Sequence, residues 1–339
     1  MANIFSNQEA QSLSSNIQNL WNKLLTSSYN EIELQNCGIV SFPNHSLSKN
    51  FSDLNVVNAD DNLIKALPSS FFNHKNLRSA FLSNNQLDDL SADFNKLTKL
   101  ALLTLDSNYI SDMWPLGLCR NLVMLSLKDN QVKSIPWSFS SLEKLEILSL
   151  DGNKISTLPD IAFSSPELQI FSAASNQLES ISNAITKLRK LKVIILSQNE
   201  LSQFPYALGD ITSLEQLNLA SNNLKQLPES IAKLDNLKYL HLEDNEIQNI
   251  PTNIHQCSSL QFINLSKNEL SYLPNKFSEL RNLEVLVMDD NQFTIFPEQV
   301  LECPNLKIIS MKNNPFSEDL LKENMPDRIL DSHNIQLFL

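Results

Sequence analysis

The spacing Leu-x-x-Leu-x-Leu-x-x-Asn-x-Leu recurs along almost the whole chain, and no other feature restricts the fold so narrowly. One copy runs Leu214, Leu217, Leu219, Asn222, Leu224, Leu227, Pro228, and the next two repeat it from Leu237 and Leu260. Working outwards, copies begin at Tyr29, Leu54, Leu77, Leu100, Leu122, Leu145, Leu168, Leu191, Leu214, Leu237, Leu260, Leu283 and Leu306. Every step is 23 residues except 25 for the first and 22 from Leu100 to Leu122. Within a copy the Leu-x-Leu alternation has period two, so Leu217 and Leu219 turn to one side of a short strand and Gln216, Asn218 and Ala220 to the other. A single unit has no closed core; stacking buries the inward leucines of successive units and joins their strands into a long parallel sheet.

The ninth position carries Asn62, Asn85, Asn108, Asn130, Asn153, Asn176, Asn199, Asn222, Asn245, Asn268, Asn291 and Asn314, with Cys37 in the first copy. The chain must turn just after a strand, and an amide offering donors and an acceptor satisfies backbone groups that stacking cuts off from water. These residues therefore read as a structural ladder, not as catalytic groups. In nine copies an apolar residue and then proline follow the turn: Pro43, Pro68, Pro136, Pro159, Pro205, Pro228, Pro251, Pro274 and Pro297. Proline marks a return path off the sheet, and apolar residues three apart, as in Ile231, Leu234 and Leu237, predict short helical turns there.

This pattern resembles the leucine-rich-repeat family over residues 29–316, and its 23-residue Leu-Pro units resemble the intracellular Ras-group leucine-rich-repeat proteins. The resemblance implies an α/β solenoid: a curved horseshoe with a parallel sheet on its concave face and short 3-10 turns and loops on its convex face. It also implies a non-enzymatic, protein-binding scaffold in intracellular signalling, with a small GTPase or a phosphatase as partner. A second reading is a targeting or regulatory subunit for a catalytic partner such as a protein phosphatase or a ubiquitin ligase.

The ends depart from the repeat. Residues 1–28 are expected to form a helical cap over the first unit, because Ala10, Leu13, Ile17, Leu20, Trp21, Leu24 and Leu25 follow helical spacing. Glu9 and Lys23 are the only charges on that segment. Residues 317–339 are expected to cap the other end, with a short helix over 318–324 and with Ile335, Leu337, Phe338 and Leu339 over the last unit.

Charge and composition narrow the function. With 26 Lys and Arg against 38 Asp and Glu, the net charge is −12, which argues against nucleic acid or an anionic membrane as partner. Four glycines are too few for Gly-rich phosphate loops, and no apolar stretch approaches a membrane span. The first residues lack a basic segment followed by an apolar one, and Ala2 stands where myristoylation needs glycine, so a cytoplasmic protein is expected. Cys119, Cys257 and Cys303 take a core position that leucine fills elsewhere (Leu97, Leu142, Leu188), too far apart for disulfides and suited to a reducing compartment. His45, His74, His241, His255 and His333 show no metal-ligand spacing, and no catalytic or cofactor motif appears, so neither metal nor cofactor is expected. The acid pairs Asp60–Asp61, Glu243–Asp244 and Asp289–Asp290 read as solvated strand ends.

A binding function would use the outward residues beside the inward leucines. At the third position Leu102, Met124, Ile147, Ile170, Val193, Tyr239, Phe262 and Val285 form an apolar stripe, joined at the fifth position by Ile195 and His241. Acidic strand ends flank it. The stripe is expected to be an exposed patch that contacts a protein partner, and Ile170→Asp is then expected to leave folding nearly intact.

Overall fold

The computed structural model describes residues 31–42, 54–316 and 335–339 of the chain. Thirteen strands of three residues occupy the third to fifth positions of the copies: β1 (Glu31–Glu33), β2 (Val56–Asn58), β3 (Ser79–Phe81), β4 (Leu102–Thr104), β5 (Met124–Ser126), β6 (Ile147–Ser149), β7 (Ile170–Ser172), β8 (Val193–Ile195), β9 (Gln216–Asn218), β10 (Tyr239–His241), β11 (Phe262–Asn264), β12 (Val285–Val287) and β13 (Ile308–Ser310). A further strand, β14 (Gln336–Phe338), follows β13. All lie in one parallel sheet in sequence order. Parallel neighbours need a crossover between them, and the outer half of each repeat supplies it. Because each unit supplies one strand at one position, equivalent residues face each other: Ile147 pairs with Ile170, and Ile170 with Val193.

The return path is built from 3-10 turns. Pro136, Pro159, Pro205, Pro228, Pro274 and Pro297 each stand immediately before one. The carbonyl of Pro136 accepts from the Phe139 N–H at 3.1 Å. Where proline is missing, serine does related work: Ser91 Oγ accepts from Asp93 N–H and Ser182 Oγ from Ala184 N–H, both at 3.1 Å. The apolar residues three apart carry the hydrogen bonds that lead back to the sheet, with Leu234 N–H donating to Ile231 and Leu237 N–H to Leu234, both at 3.0 Å. All three side chains are buried in a continuous interior that runs from Phe42 to Ile335. Near its start Phe42, Phe71, Phe72 and Phe94 pack edge to face, with centroids 5.0, 5.4 and 5.2 Å apart.

Each asparagine of the ladder joins two units. Asn199 Nδ2 donates to the carbonyls of Ala173 in the preceding unit and of Leu196 and Ser197 in its own, at 2.9, 3.0 and 3.2 Å. Its Oδ1 accepts from the Leu178 N–H of the preceding unit at 2.9 Å. The same set recurs from Asn85 to Asn314. Asn62 uses its Oδ1 twice, for the N–H groups of Cys37 and Ile39 at 3.1 and 2.9 Å. The residue before each of these positions is left-handed, as at Asp61, Asn84, Ser175 and Lys267 with φ of 58, 54, 52 and 53°, or Gly152 at 66°. That turn aims the amide inward, and the Asn and Asp at several of these sites tolerate it best.

At the C-terminal end Ile335 is buried and Leu337 packs on the core. The Met311 N–H donates to the Phe338 carbonyl at 2.7 Å, and Lys312 Nζ lies 5.2 Å from the Phe338 ring centroid. The expected cap over residues 1–28 and the short helix over 318–324 lie outside the described residues.

The 22-residue unit has a local account in packing. Its turn, Trp114–Leu118, lies against the next, Trp137–Ser141. A Cβ on Gly117 would come within 2.5 Å of the Ser138 backbone carbonyl carbon, while Ser138 Oγ donates to the Trp114 carbonyl at 2.8 Å. Gly209 meets Ser230 in the same way. Gly117→Ala should therefore destabilise the chain by about 1–3 kcal/mol in a denaturant titration; an unchanged midpoint would contradict the close contact. Asn199→Leu should lower stability by about 1–3 kcal/mol for each backbone group it strands, read as a clear drop in melting temperature; an unshifted melt would refute the ladder's role.

Candidate binding face

Regular stacking brings Leu102, Met124, Ile147, Ile170 and Val193 side by side on strands β4 to β8, on the face away from the interior. With Phe81 they form a second apolar cluster, separate from the core, against which Val56 and Ile195 pack. This corrects the expectation of an exposed patch: Ile147 is 0% exposed, Ile170 5% and Met124 6%. A charge at Ile170 would enter an apolar, largely dry environment, so Ile170→Asp is now expected to destabilise. Toward the other end the face opens. Tyr239, Val285, Val287 and Ile308 remain partly exposed, as does Ile195. Between them His241 and Phe262 are buried, their ring centroids 4.9 Å apart, with His241 Nδ1 3.8 Å from the Glu243 carboxylate.

The carboxylates beside this face are not merely solvated strand ends. Asp60 Oδ1 accepts from the Ser83 N–H of the next unit at 2.6 Å. Asp106 accepts from Ser126 Oγ and Lys128 N–H at 2.5 and 2.8 Å. Asp289 accepts from Ser310 Oγ and Lys312 N–H at 2.6 and 2.8 Å. Asp151 bonds to Ser172 Oγ and the Ala174 N–H in the same way. An aspartate at the seventh position thus ties its unit to the next, often through a serine at that unit's fifth position. Sequence reading missed this pairing, although Asp106 with Ser126, Asp151 with Ser172 and Asp289 with Ser310 show it at the same two repeat positions of neighbouring units, 20 or 21 residues apart. Position eight behaves differently: Asp61 and Asp290 accept from the side chains of Asn84 and Asn313, at 2.9 and 2.8 Å.

Burial is the main cause that pushes the Asp60 carboxyl up to about 6, with a smaller contribution from neighbouring Asp61, Asp106 and Glu33. Asp106 is also raised, again by burial. The opposite edge carries an ion-pair row in which Glu215 lies 2.8 Å from Lys238 and 3.5 Å from Lys192. The hydrogen bond from Lys238 leads the causes that lower the Glu215 carboxyl.

The three core cysteines are buried and free. Each reaches a carbonyl of the preceding turn: Cys119 Sγ to Phe94 at 3.4 Å, Cys257 Sγ to Ile231 at 3.1 Å and Cys303 Sγ to Phe277 at 3.5 Å. Burial pushes the Cys119 and Cys257 thiols up to about 12 and that of Cys303 to about 11, so they are poor nucleophiles. Among the described residues no group of three or more His, Cys, Asp or Glu could hold a metal ion. No helix among them is long and apolar enough to cross a membrane.

A parallel sheet, one strand per unit, joined by an asparagine ladder to a convex side of 3-10 turns, defines a leucine-rich-repeat solenoid. Comparison with known proteins agrees, and the chain is a leucine-rich-repeat protein. Residues 166–224 and 212–270 match the family described as Leucine rich repeat, and residues 120–162 match Leucine Rich repeats (2 copies). No curated protein sequence matches the chain. Among solved structures, a leucine-rich-repeat protein of Leptospira interrogans is 25% identical, with a TM-score of 0.66, over 91% of this chain and 95% of that one. An internalin of Listeria monocytogenes is 21% identical, with a TM-score of 0.74, over 85% and 81%. The leucine-rich-repeat ectodomain of a plant membrane receptor kinase from Arabidopsis thaliana is 25% identical, with a TM-score of 0.66, over 85% of this chain and 38% of that one.

The raised aspartates set a pH dependence. A carboxyl with a folded pKa above its unfolded value adds stability that is complete below the unfolded value and lost as pH rises through the folded one. For Asp60 that window runs from the ordinary 3.8 to about 6. Glu215 acts in the opposite sense, and only as pH falls through its lowered value. Asp60→Asn keeps an acceptor for Ser83 and removes the charge. It should raise the melting temperature at about pH 7.5 and flatten the gain seen on acidifying to about pH 5.5; a variant that melts lower at the higher pH would contradict this account.

Proposed function

We propose that this chain is a non-enzymatic scaffold that binds a protein or peptide on the concave face of its solenoid. The observation that carries the reading is the open half of that face, where Tyr239, Val285, Val287 and Ile308 remain partly exposed on neighbouring strands. Glu243, Asp244 and Asp290 edge it and favour a partner with apolar anchors among basic residues. Among the similar structures, the Arabidopsis ectodomain is in complex with Casparian strip integrity factor 2, which supports ligand binding on this fold. The 23-residue Leu-Pro unit supports a finer placement with the Ras-group proteins, a signalling role and a small GTPase or phosphatase as partner. Three buried, unpaired thiols support residence in a reducing compartment such as the cytoplasm.

Affinity capture from lysate tests the reading, comparing the chain with Tyr239→Ala/Val285→Asp and with a convex-side control, Tyr272→Ala. A protein retained by the chain and the control but lost from the double variant, at an unchanged melting temperature, is the expected result. Identical retained sets for all three would remove the binding site from this half of the face.

A further inference from the structure

On the convex side the repeat supplies its own control for each position. The first residue of the 3-10 turn is Asp160, Asn183, Glu229, Asn275 or Glu298 in five units, so the fold accepts a polar side chain there. Two adjacent units carry tryptophan instead: Trp114 opens the turn Trp114–Leu118 and Trp137 the turn Trp137–Ser141. Trp137 is 75% exposed and Trp114 40%. A tryptophan ordinarily stabilises a fold by burying its ring and pairing its indole N–H. Among the described residues, neither of these indole N–H groups donates a hydrogen bond, and neither ring packs on another aromatic ring or a cation.

The backbone beneath the pair is fixed. Gly117 admits Ser138 to a distance that a Cβ would forbid, and Ser138 Oγ donates to the Trp114 carbonyl at 2.8 Å. The two indoles therefore leave neighbouring turns that are locked to each other. Rigid aromatic side chains on an ordered backbone lose little freedom on binding and make strong anchors for a protein contact.

Carboxylates surround the pair. Asp112 Oδ1 accepts from the Trp114 N–H at 3.0 Å. Asp160, which takes the place of Trp137 in the next turn, accepts from Ser182 Oγ through its Oδ1. The second oxygen of each has no partner among the described residues. Asp88 and Asp89 add charge in the unit before Trp114, and Lys133 opposes them.

We infer that Trp114 and Trp137 form a second docking site, for an arginine-bearing segment of a partner protein, with guanidinium groups laid on the indole faces and paired to Asp112 and Asp160. A cation is attracted to the negative face of an indole. Arginine suits the place better than lysine, because its planar group stacks on a ring while its N–H fork still reaches a carboxylate. The site lies on the opposite side of the solenoid from the concave face, so it goes beyond the proposed partner binding, and either reading can fail without the other.

The purified chain labelled with 5-fluorotryptophan gives three fluorine signals, from Trp21, Trp114 and Trp137, assigned with single phenylalanine variants. It is titrated with the peptide acetyl-Gly-Arg-Gly-Arg-Gly-amide and with counterparts carrying lysine or glutamate in place of arginine. The expected result is that the Trp114 and Trp137 signals shift together and saturate with the arginine peptide, while the Trp21 signal stays. Asp112→Asn/Asp160→Asn should weaken binding roughly fivefold. Trp137→Asn, a residue that this turn position already holds in two other units, should leave the melting temperature unchanged and weaken binding roughly tenfold, followed at the Trp114 signal. No saturation by about 10 mM arginine peptide would overturn the inference. Equal affinity for the lysine or glutamate peptide would overturn it as well, and so would undiminished binding to the folded Trp137→Asn chain, which would place the peptide elsewhere on the acidic surface.

Discussion

A side-chain amide that replaces water at the exit of every strand is the interaction on which this fold depends. Three residues of strand are too few to hold a sheet together, and the turn that follows each strand buries backbone carbonyls that no ladder can reach. One asparagine satisfies three of these carbonyls and one N–H, spread over two units, as at Asn199. Because an unmet buried backbone group costs about 1–3 kcal/mol, the ladder makes each unit unstable without its neighbour and fixes the step between them. In-register strands, the continuous interior and the alignment of equivalent side chains all follow from that fixed step.

Alignment is also what gives the concave face its chemistry. A residue type repeated at one position becomes a row, so a few apolar choices at the third position become a stripe many strands long. Aspartates at the seventh position become clamps, since each meets the next unit's N–H and often its serine hydroxyl. Such clamps use carboxylates that could otherwise have recruited a cation or a basic partner. The acid left for recognition lies where the clamps are absent or doubled, as at Glu243, Asp244 and Asp290. The face is therefore divided: apolar and buried from β3 to β8, and mixed, acidic and partly open from β10 to β13.

The repeat made most of the fold legible before any coordinates. Asn199 and its equivalents, the short strands around Leu217 and the turns around Leu234 follow from spacing and from backbone hydrogen-bonding needs alone. What escaped depends on contacts between units. The Asp151–Ser172 pair lies on two repeats, and nothing in either residue alone announces the other. The left-handed residue at Lys267 carries no local signal, because lysine has no preference for that conformation; only its place in the series identifies it. Burial of Ile147 escaped for a different reason: period two gives the face to which a side chain belongs, not what lies over that face. Cys257 was assigned to the interior from its position, but the hydrogen bond from its thiol to Ile231 needed the neighbouring turn.

Amide hydrogen exchange, measured residue by residue, tests the ladder most directly. The N–H groups of Ile110, Val132, Ile155, Leu178, Leu201 and Leu224 lie outside the strands, and each donates to an asparagine Oδ1 of the next unit. If the ladder holds the units together, these amides exchange as slowly as those of strand residues such as Leu148 and Ile194, because all open only when units separate. Exchange at the rate of exposed turn residues, with the strand amides still protected, would show that the sheet stands without the ladder and would contradict the account.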